Sequence, residues 1–317
     1  MRASQWRIVR AVLCAGAVAL MAAPAARAQR VHLLVVNGLA GEPQYRASFK
    51  AVTAALVDSA RTRWGVADSS MIVLGEDPAD DPRRIRGRST KAEVQQAFIT
   101  LGRRVSPGDV VLVFLNGHGA GEGPGSRINL PGPDPTAADY SMWLTGFSRQ
   151  SVVFVNAGSG SGDFVGVLKA PGRLVVTATR TAMERNETVF ARPFVRGLTG
   201  TEADADKDGR VSVFEAFDHA RKEVAREYET GNKMLTEHAA LSDTALARRI
   251  TFGGARASAN PRVLALTAER QELETQVAAL RARKASMSAA AYDRELERLL
   301  LQIAEKTQAM RAAGAKP

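Results

Sequence analysis

The sequence predicts an α/β protein: a doubly wound, mostly parallel sheet with helices on both faces, followed by a C-terminal helical hairpin or coiled coil. Five short β-rich runs carry the first part: Val31 to Val36, Met71 to Leu74, Val110 to Leu115, Val152 to Val155 and Leu174 to Thr179. They alternate with helical stretches, and their apolar residues are continuous, as in strands covered on both sides. Beyond Pro261 the pattern changes to a 3-4-7 spacing through Leu266, Leu273, Val277 and Leu280, then Tyr292, Leu296, Leu299, Ile303 and Met310, with a break around Lys284 to Ser288. That spacing reads as two antiparallel helices. With 317 residues, 45% of them hydrophobic and 24% charged, the chain can bury a core and is neither collagen-like nor globally disordered.

Residues 1–28 read as an export signal. Arg2, Arg7 and Arg10 form a positive start, Ala11 to Ala26 is an uncharged apolar stretch, and Ala26-Arg27-Ala28 is a small-x-small cleavage site. Sixteen residues are short for a bilayer span, which needs about 20. A periplasmic or extracellular location follows, with Gln29 first in the mature chain and no transmembrane segment. Removing the segment takes four arginines and lowers the net charge from +10 to +6. It also removes Cys14, the sole cysteine, and with it any disulfide, thiolate metal site or thiol nucleophile. The residual basic excess is spread along the chain, which argues against a nucleic-acid partner.

The mature chain then divides into an α/β domain over 29–260 and a helical extension over 261–317. Helices are expected at about 44–63, 91–104 and 137–146. The second has its own start signal, because Thr90-Lys91-Ala92-Glu93 fits a capping box. The extension either folds onto its own domain or forms a coiled-coil arm for self-association through residues 262–317; both need the same apolar stripe.

Asp204 to Glu215 matches the twelve-residue EF-hand loop. Asp204, Asp206 and Asp208 occupy positions 1, 3 and 5, Gly209 position 6, the Arg210 carbonyl position 7, Ser212 position 9 and Glu215 position 12. Calcium takes six to eight hard oxygens at about 2.3–2.6 Å, which a tight loop closed by one bidentate glutamate supplies. The helix leaving the loop is evident from Ser212 to about Tyr228, whereas Gly197 to Gly200 interrupts the one entering it. A lone loop of this kind suits structural Ca²⁺ better than a sensor, which is usually built from paired hands. The alternative is an acidic turn that binds nothing.

Asn116-Gly117-His118-Gly119 falls where the third strand ends, the end of a parallel sheet at which ligands bind. The next strand ends in Asn156-Ala157-Gly158-Ser159-Gly160-Ser161-Gly162. This arrangement resembles the caspase and legumain (asparaginyl endopeptidase) superfamily of cysteine peptidases, in which one strand ends in His-Gly and the next in Asp/Glu-Ala-Cys followed by Ser-Gly. The resemblance spans Val31 to Glu229, including the Thr90-Lys91 helix start and the Pro107-Gly108-Asp109 lead-in. It implies a caspase-like fold, His118 as general base and the Gly119 backbone as part of the oxyanion site. It places Gly158 at the nucleophile position and matches Ser161-Gly162 to the Ser-Gly. Basic residues near 83–91 can line such a family's substrate pocket, which makes Arg86 and Arg88 recognition candidates.

The departure is Gly158, which carries no nucleophile. Thiolate chemistry cannot run, and the expected protein is a secreted or periplasmic calcium-binding pseudoenzyme that binds a peptide or protein partner. One alternative is an endopeptidase or other hydrolase using Ser159 or Ser161 with His118, which requires hydrogen-bond reach of about 2.6–3.2 Å. The G-x-S-x-G reading of Gly158 to Gly162 fails because His118 precedes the serines. A second alternative is an assembly module working through the hairpin. Neither a Walker motif nor a GxGxxG opening the first helix supports nucleotide binding.

Overall fold

The computed structural model describes residues 30–206, 209–252 and 261–313. The expected export signal and Cys14, the loop residues Lys207 and Asp208, and residues 253–260 lie outside these. In chain order the elements are β1 (Val31–Asn37), α1 (Pro43–Thr62), β2 (Met71–Gly75), β3 (Gly87–Arg88), α2 (Lys91–Arg104), β4 (Val110–Asn116), β5 (Gly119–Ala120), β6 (Arg127–Ile128) and α3 (Ala137–Trp143). They continue with β7 (Ser151–Asn156), α4 (Phe164–Leu168), β8 (Arg173–Thr177), α5 (Ala191–Thr199), α6 (Val213–Thr230), β9 (Ala240–Leu241), α7 (Thr244–Arg249), α8 (Pro261–Ala282) and α9 (Ala289–Ala312).

Seven strands form one sheet in the order β3-β2-β1-β4-β7-β8-β9, parallel throughout except for β9. The chain runs outward from β1 to β3 and returns to build β4, β7 and β8 on the other side. Successive side chains of a strand point to opposite faces, so each continuous apolar run feeds two cores. Leu33, Val35, Leu112, Phe114, Val153 and Val155 pack with α1, α5, α6 and α7. Leu34, Val36, Val111, Val113, Leu115 and Phe154 pack with α2, α3 and α4. The fold is therefore doubly wound, with helices on both faces.

Local differences from the sequence reading have local causes. The last predicted strand stops at Thr177 because the Thr177 hydroxyl donates to the Thr179 carbonyl (2.8 Å), turning the chain aside. The helix expected over 137–146 is α-helical only to Trp143 and tightens into a 3₁₀ turn over Leu144–Phe147. The Thr90 hydroxyl accepts from the Glu93 amide (3.3 Å), which is half of the expected box; complete boxes stand at Thr136/Asp139 and Ser212/Glu215.

The predicted hairpin stripe closes on itself. Val277, Leu280, Tyr292 and Leu299 are buried together, with Leu273, Met287, Leu296 and Ile303 packed against them. Ser288 caps α9, accepting from the Ala291 amide at 3.3 Å. Among the described residues no helix is long and apolar enough to cross a membrane.

At the amino ends of β1 and β4, buried His32 and Asp109 meet at 3.1 Å. Asp109 also accepts from the Ser106 amide (2.9 Å) and the Arg30 amide (3.3 Å). Burial alone would raise its carboxyl; the Ser106, His32 and Arg30 contacts outweigh that and hold it below the usual range. A depressed carboxyl stabilises the fold above the unfolded-state pKa, and that stability is lost as pH falls through the folded one. Asp109→Ala should cost about 1–3 kcal/mol, the range for leaving buried hydrogen-bond partners unsatisfied. Asp109→Asn should flatten the acid limb of stability below about pH 4, both read by denaturant titration.

Candidate functional site

The chain reverses its direction of travel across the sheet between β1 and β4, the switch point where doubly wound sheets open a crevice. Asn37 and Asn116 end these strands in register, and Asn116 Nδ2 donates to Asn37 Oδ1 (3.3 Å), which also accepts from the Thr53 hydroxyl (2.8 Å). His118 follows two residues later. Its ring stands edge-on to Tyr45 (centroids 4.8 Å apart) and near Phe49 (5.5 Å), both on α1.

The structure brings His118, Gly119, Gly158 and Ser159 into one neighbourhood, as the sequence reading expected of adjacent strand ends. Yet the Gly158 α-carbon faces backbone. A β-carbon there would lie 2.6 Å from the Gly117 carbonyl oxygen and 3.2 Å from Asn156 Oδ1. Contacts below about 3.0 Å do not occur for real β-carbons, so this backbone has no room for cysteine, serine or alanine at 158.

Neither neighbouring serine is poised against His118. Ser159 is buried and its Oγ accepts from the Gly119 amide (3.2 Å), which occupies the donor that the resemblance assigns to an oxyanion. Ser161 is wholly buried, with its Oγ 3.2 Å from Thr179 Oγ1 and accepting from the Thr179 amide (3.3 Å). Among the described residues no side chain hydrogen-bonds the His118 ring nitrogens. The serines therefore brace the glycine-rich turn.

Beside His118 lies a groove of about 300 Å³, walled by Phe49, His118, Glu187, Thr188, Arg192 and Glu227. Arg192 and Glu227 pair across it. The carboxylate of exposed Glu187 pushes the nearby Tyr45 phenol above its ordinary value. Arg86 and Arg88 do not line this groove. They belong to the β3 edge, separated from β4 by β2 and β1, and Arg86 donates to the Pro82 carbonyl (3.4 Å).

The sequence reading missed the strap that holds this groove's outer wall. Residues 233–239, without regular secondary structure after a turn at Asn232, run past 184–190. Asn186 donates to Thr236 (3.0 Å), the His238 amide to Glu184 (2.9 Å), and the Glu237 carboxylate accepts from the Val189 and Phe190 amides (both 2.9 Å). These two amides lie at the entrance to α5, where donors lack intrahelical partners, so Glu237 caps that helix from another segment. Burial pushes Glu237 up to about 7, against the lowering effect of the two amides.

In the acidic loop, carboxylate oxygens of Asp204, Asp206 and Glu215 lie within 4.8 Å of one another. Gly209 has φ +83°, a left-handed turn that side chains disfavour, and its amide donates to Asp204 (3.1 Å). Glu215 accepts from the Ala205 amide (3.0 Å), the Ser212 amide (2.9 Å) and the Ser212 hydroxyl (2.8 Å). Three hard oxygen donors converging around a glycine turn are a donor set that fits Ca²⁺. The Ser212 hydroxyl caps α6, accepting from the Glu215 amide at 3.2 Å, and Asp208 is outside the described residues.

An acid whose folded pKa is raised from 4.5 to about 7 keeps a proton that the unfolded chain has lost. Stability therefore falls as pH climbs through that window. Glu237→Gln should remove this component from a pH 4.5–7.5 series of unfolding curves. It should also speed amide exchange at Val189 and Phe190.

No protein-family model and no curated protein matches the chain. Among solved structures it is similar to drICE, a caspase, at 10% identity over 68% of this chain and 88% of that one, with a TM-score of 0.40. It is also similar to the protein GSU0716 from Geobacter sulfurreducens, at 12% identity over 69% and 97% of the two chains, with a TM-score of 0.44. Both scores are below 0.5, so the α/β fold is assigned from the strand order and the two-sided packing of the sheet itself.

Proposed function

We propose that this is an exported calcium-binding protein with a caspase/legumain-like frame that has no hydrolytic step and holds a peptide or protein segment in the groove beside His118. The observation that carries the reading is the contact at residue 158, where the Gly117 carbonyl takes the space a nucleophile's β-carbon would need. Catalysis by a serine draws no support from the hydroxyls, since a productive nucleophile must be held against its base. Ser159 and Ser161 are held against the Gly119 amide and Thr179 instead.

Several features support binding. The groove lies at the switch point, has an aromatic and imidazole wall, and carries carboxylate and guanidinium groups to orient a ligand. The acidic loop supports calcium: Asp204, Asp206 and Glu215 would hold the ion, joined by Asp208, Ser212 and the Arg210 carbonyl. The ion would cross-link the loop to the start of α6 and so supply stability rather than chemistry. The basic start, apolar stretch and small-x-small site of residues 1–28 support export, with mature chain beginning at Gln29.

The expected result with an immobilised peptide library in millimolar Ca²⁺ is retention of a peptide subset without cleavage, and cleavage abolished by His118→Ala would sink the reading. Gly158→Cys should not create a peptidase and should lower stability by about 1–3 kcal/mol, the usual cost of overpacking. Calcium at 100 times its Kd should stabilise the chain by about 2.7 kcal/mol, read as a melting shift reversed by chelator and absent in Asp204→Ala.

A further inference from the structure

Arg270, on α8, has only 6% of its surface exposed. Its Nη1 lies 3.5 Å from Asp206 Oδ2, and its Nε lies 3.4 Å from Glu274 Oε1 on the next helical turn. A guanidinium buried to this degree persists only with carboxylates beside it, because desolvating an unpaired charge costs several kcal/mol. Among the described residues, Glu274 of the hairpin is one such carboxylate and Asp206, the third position of the acidic loop, is another.

Asp206 is thus faced from two sides. Toward the loop centre it shares a 4.8 Å neighbourhood with Asp204 and Glu215. Toward the hairpin it meets Arg270. A carboxylate drawn into the first shell of a divalent ion turns its charge to that ion, and the ion's double charge repels a guanidinium at this range. We propose that Arg270 competes with Ca²⁺ for Asp206, so that the calcium-free loop latches the hairpin to the α/β domain and Ca²⁺ releases it. This rests on the calcium reading of the loop and adds to it an intramolecular occupant, a place in the chain and a direction of response.

The competition is reciprocal by linkage: the factor by which Ca²⁺ weakens docking equals the factor by which docking weakens Ca²⁺. Removing Arg270 must therefore tighten Ca²⁺ binding. The alternative, in which Arg270 only fills space, gives no change in affinity.

The test uses the full chain with Cys14→Ser, so that Glu229→Cys on α6 and Ala290→Cys near the hairpin turn carry the only spin labels. Calorimetric titration with CaCl₂ is run on the unlabelled chain and on Arg270→Gln and Arg270→Lys. Arg270→Gln should bind Ca²⁺ about tenfold more tightly, within the 5- to 150-fold range usual for coupled sites. Arg270→Lys, which keeps a point charge, should fall between. The label distance should be narrow in chelator and broaden on adding Ca²⁺, and should already be broad in Arg270→Gln. Equal affinities in all three chains with an unchanged distance would overturn the competition and leave the calcium reading standing. Heat-silent titrations and unchanged melting in all three would overturn both.

Discussion

The carbonyl oxygen of Gly117 stands where a β-carbon of residue 158 would have to be, and the arrangement of the whole site follows from that contact. It exists because β4 and β7 are adjacent parallel strands in register, Leu115 opposite Asn156, so the turns after them leave the sheet side by side. Once the two backbones pack this closely, the groups that would serve a reaction are used to hold the turns together. The Gly119 amide binds Ser159, Ser161 binds Thr179, and the Gly158 amide binds Asn156 (3.0 Å). A polar group buried in such a seam costs free energy unless it is paired, so each of these bonds is a condition of closing the turn. The lack of room for a side chain at 158 and a well-satisfied turn are one structural fact seen from two sides.

The strands and their two-sided burial were legible because a parallel strand covered on both faces must be apolar at every position. The hairpin was legible because its stripe repeats at helical spacing. The end of β8 was not, since side-chain bonds, the Thr177 hydroxyl to the Thr179 carbonyl and the Thr179 amide to Ser161 Oγ, take residue 179 out of the strand. The strap over 233–239 left no trace in hydrophobic pattern: Thr236, Glu237 and His238 act through hydrogen bonds to 184–190, which periodicity cannot register. Arg86 and Arg88 were favoured by the resemblance, but strand order moves them to the β3 edge. Arg192, unremarkable in sequence, takes the groove because α5 begins at its wall. Gly158 was recognisable as a vacancy, whereas the backbone that fills it belongs to a turn forty residues earlier.

Arg270 shows the same limit for charge. On an amphipathic helix an arginine four residues before a glutamate reads as a solvated i,i+4 pair, worth a few tenths of a kcal/mol. Its burial and its contact with Asp206 depend on where α8 lies against a loop some 60 residues away, and no local signal reports that.

Helix α6 ties these parts together and limits what each can do to the others. Its first turn holds Glu215 of the acidic loop, and Glu227 near its last turn lines the groove. Twelve residues at 1.5 Å rise separate the two by about 18 Å. Between them Ala216, Phe217, Ala220 and Val224 are buried against the sheet, and Phe217 meets the Phe190 ring of the strapped segment at 6.3 Å. A helix packed along its length transmits position but resists bending, so an ion held at its start would fix where Glu227 sits without reshaping the groove. A large movement on filling the loop would take place on its other side, where the Arg270 guanidinium meets Asp206 from an element with its own apolar core. The fold thus puts the rigid connection toward the groove and the exchangeable one toward the hairpin.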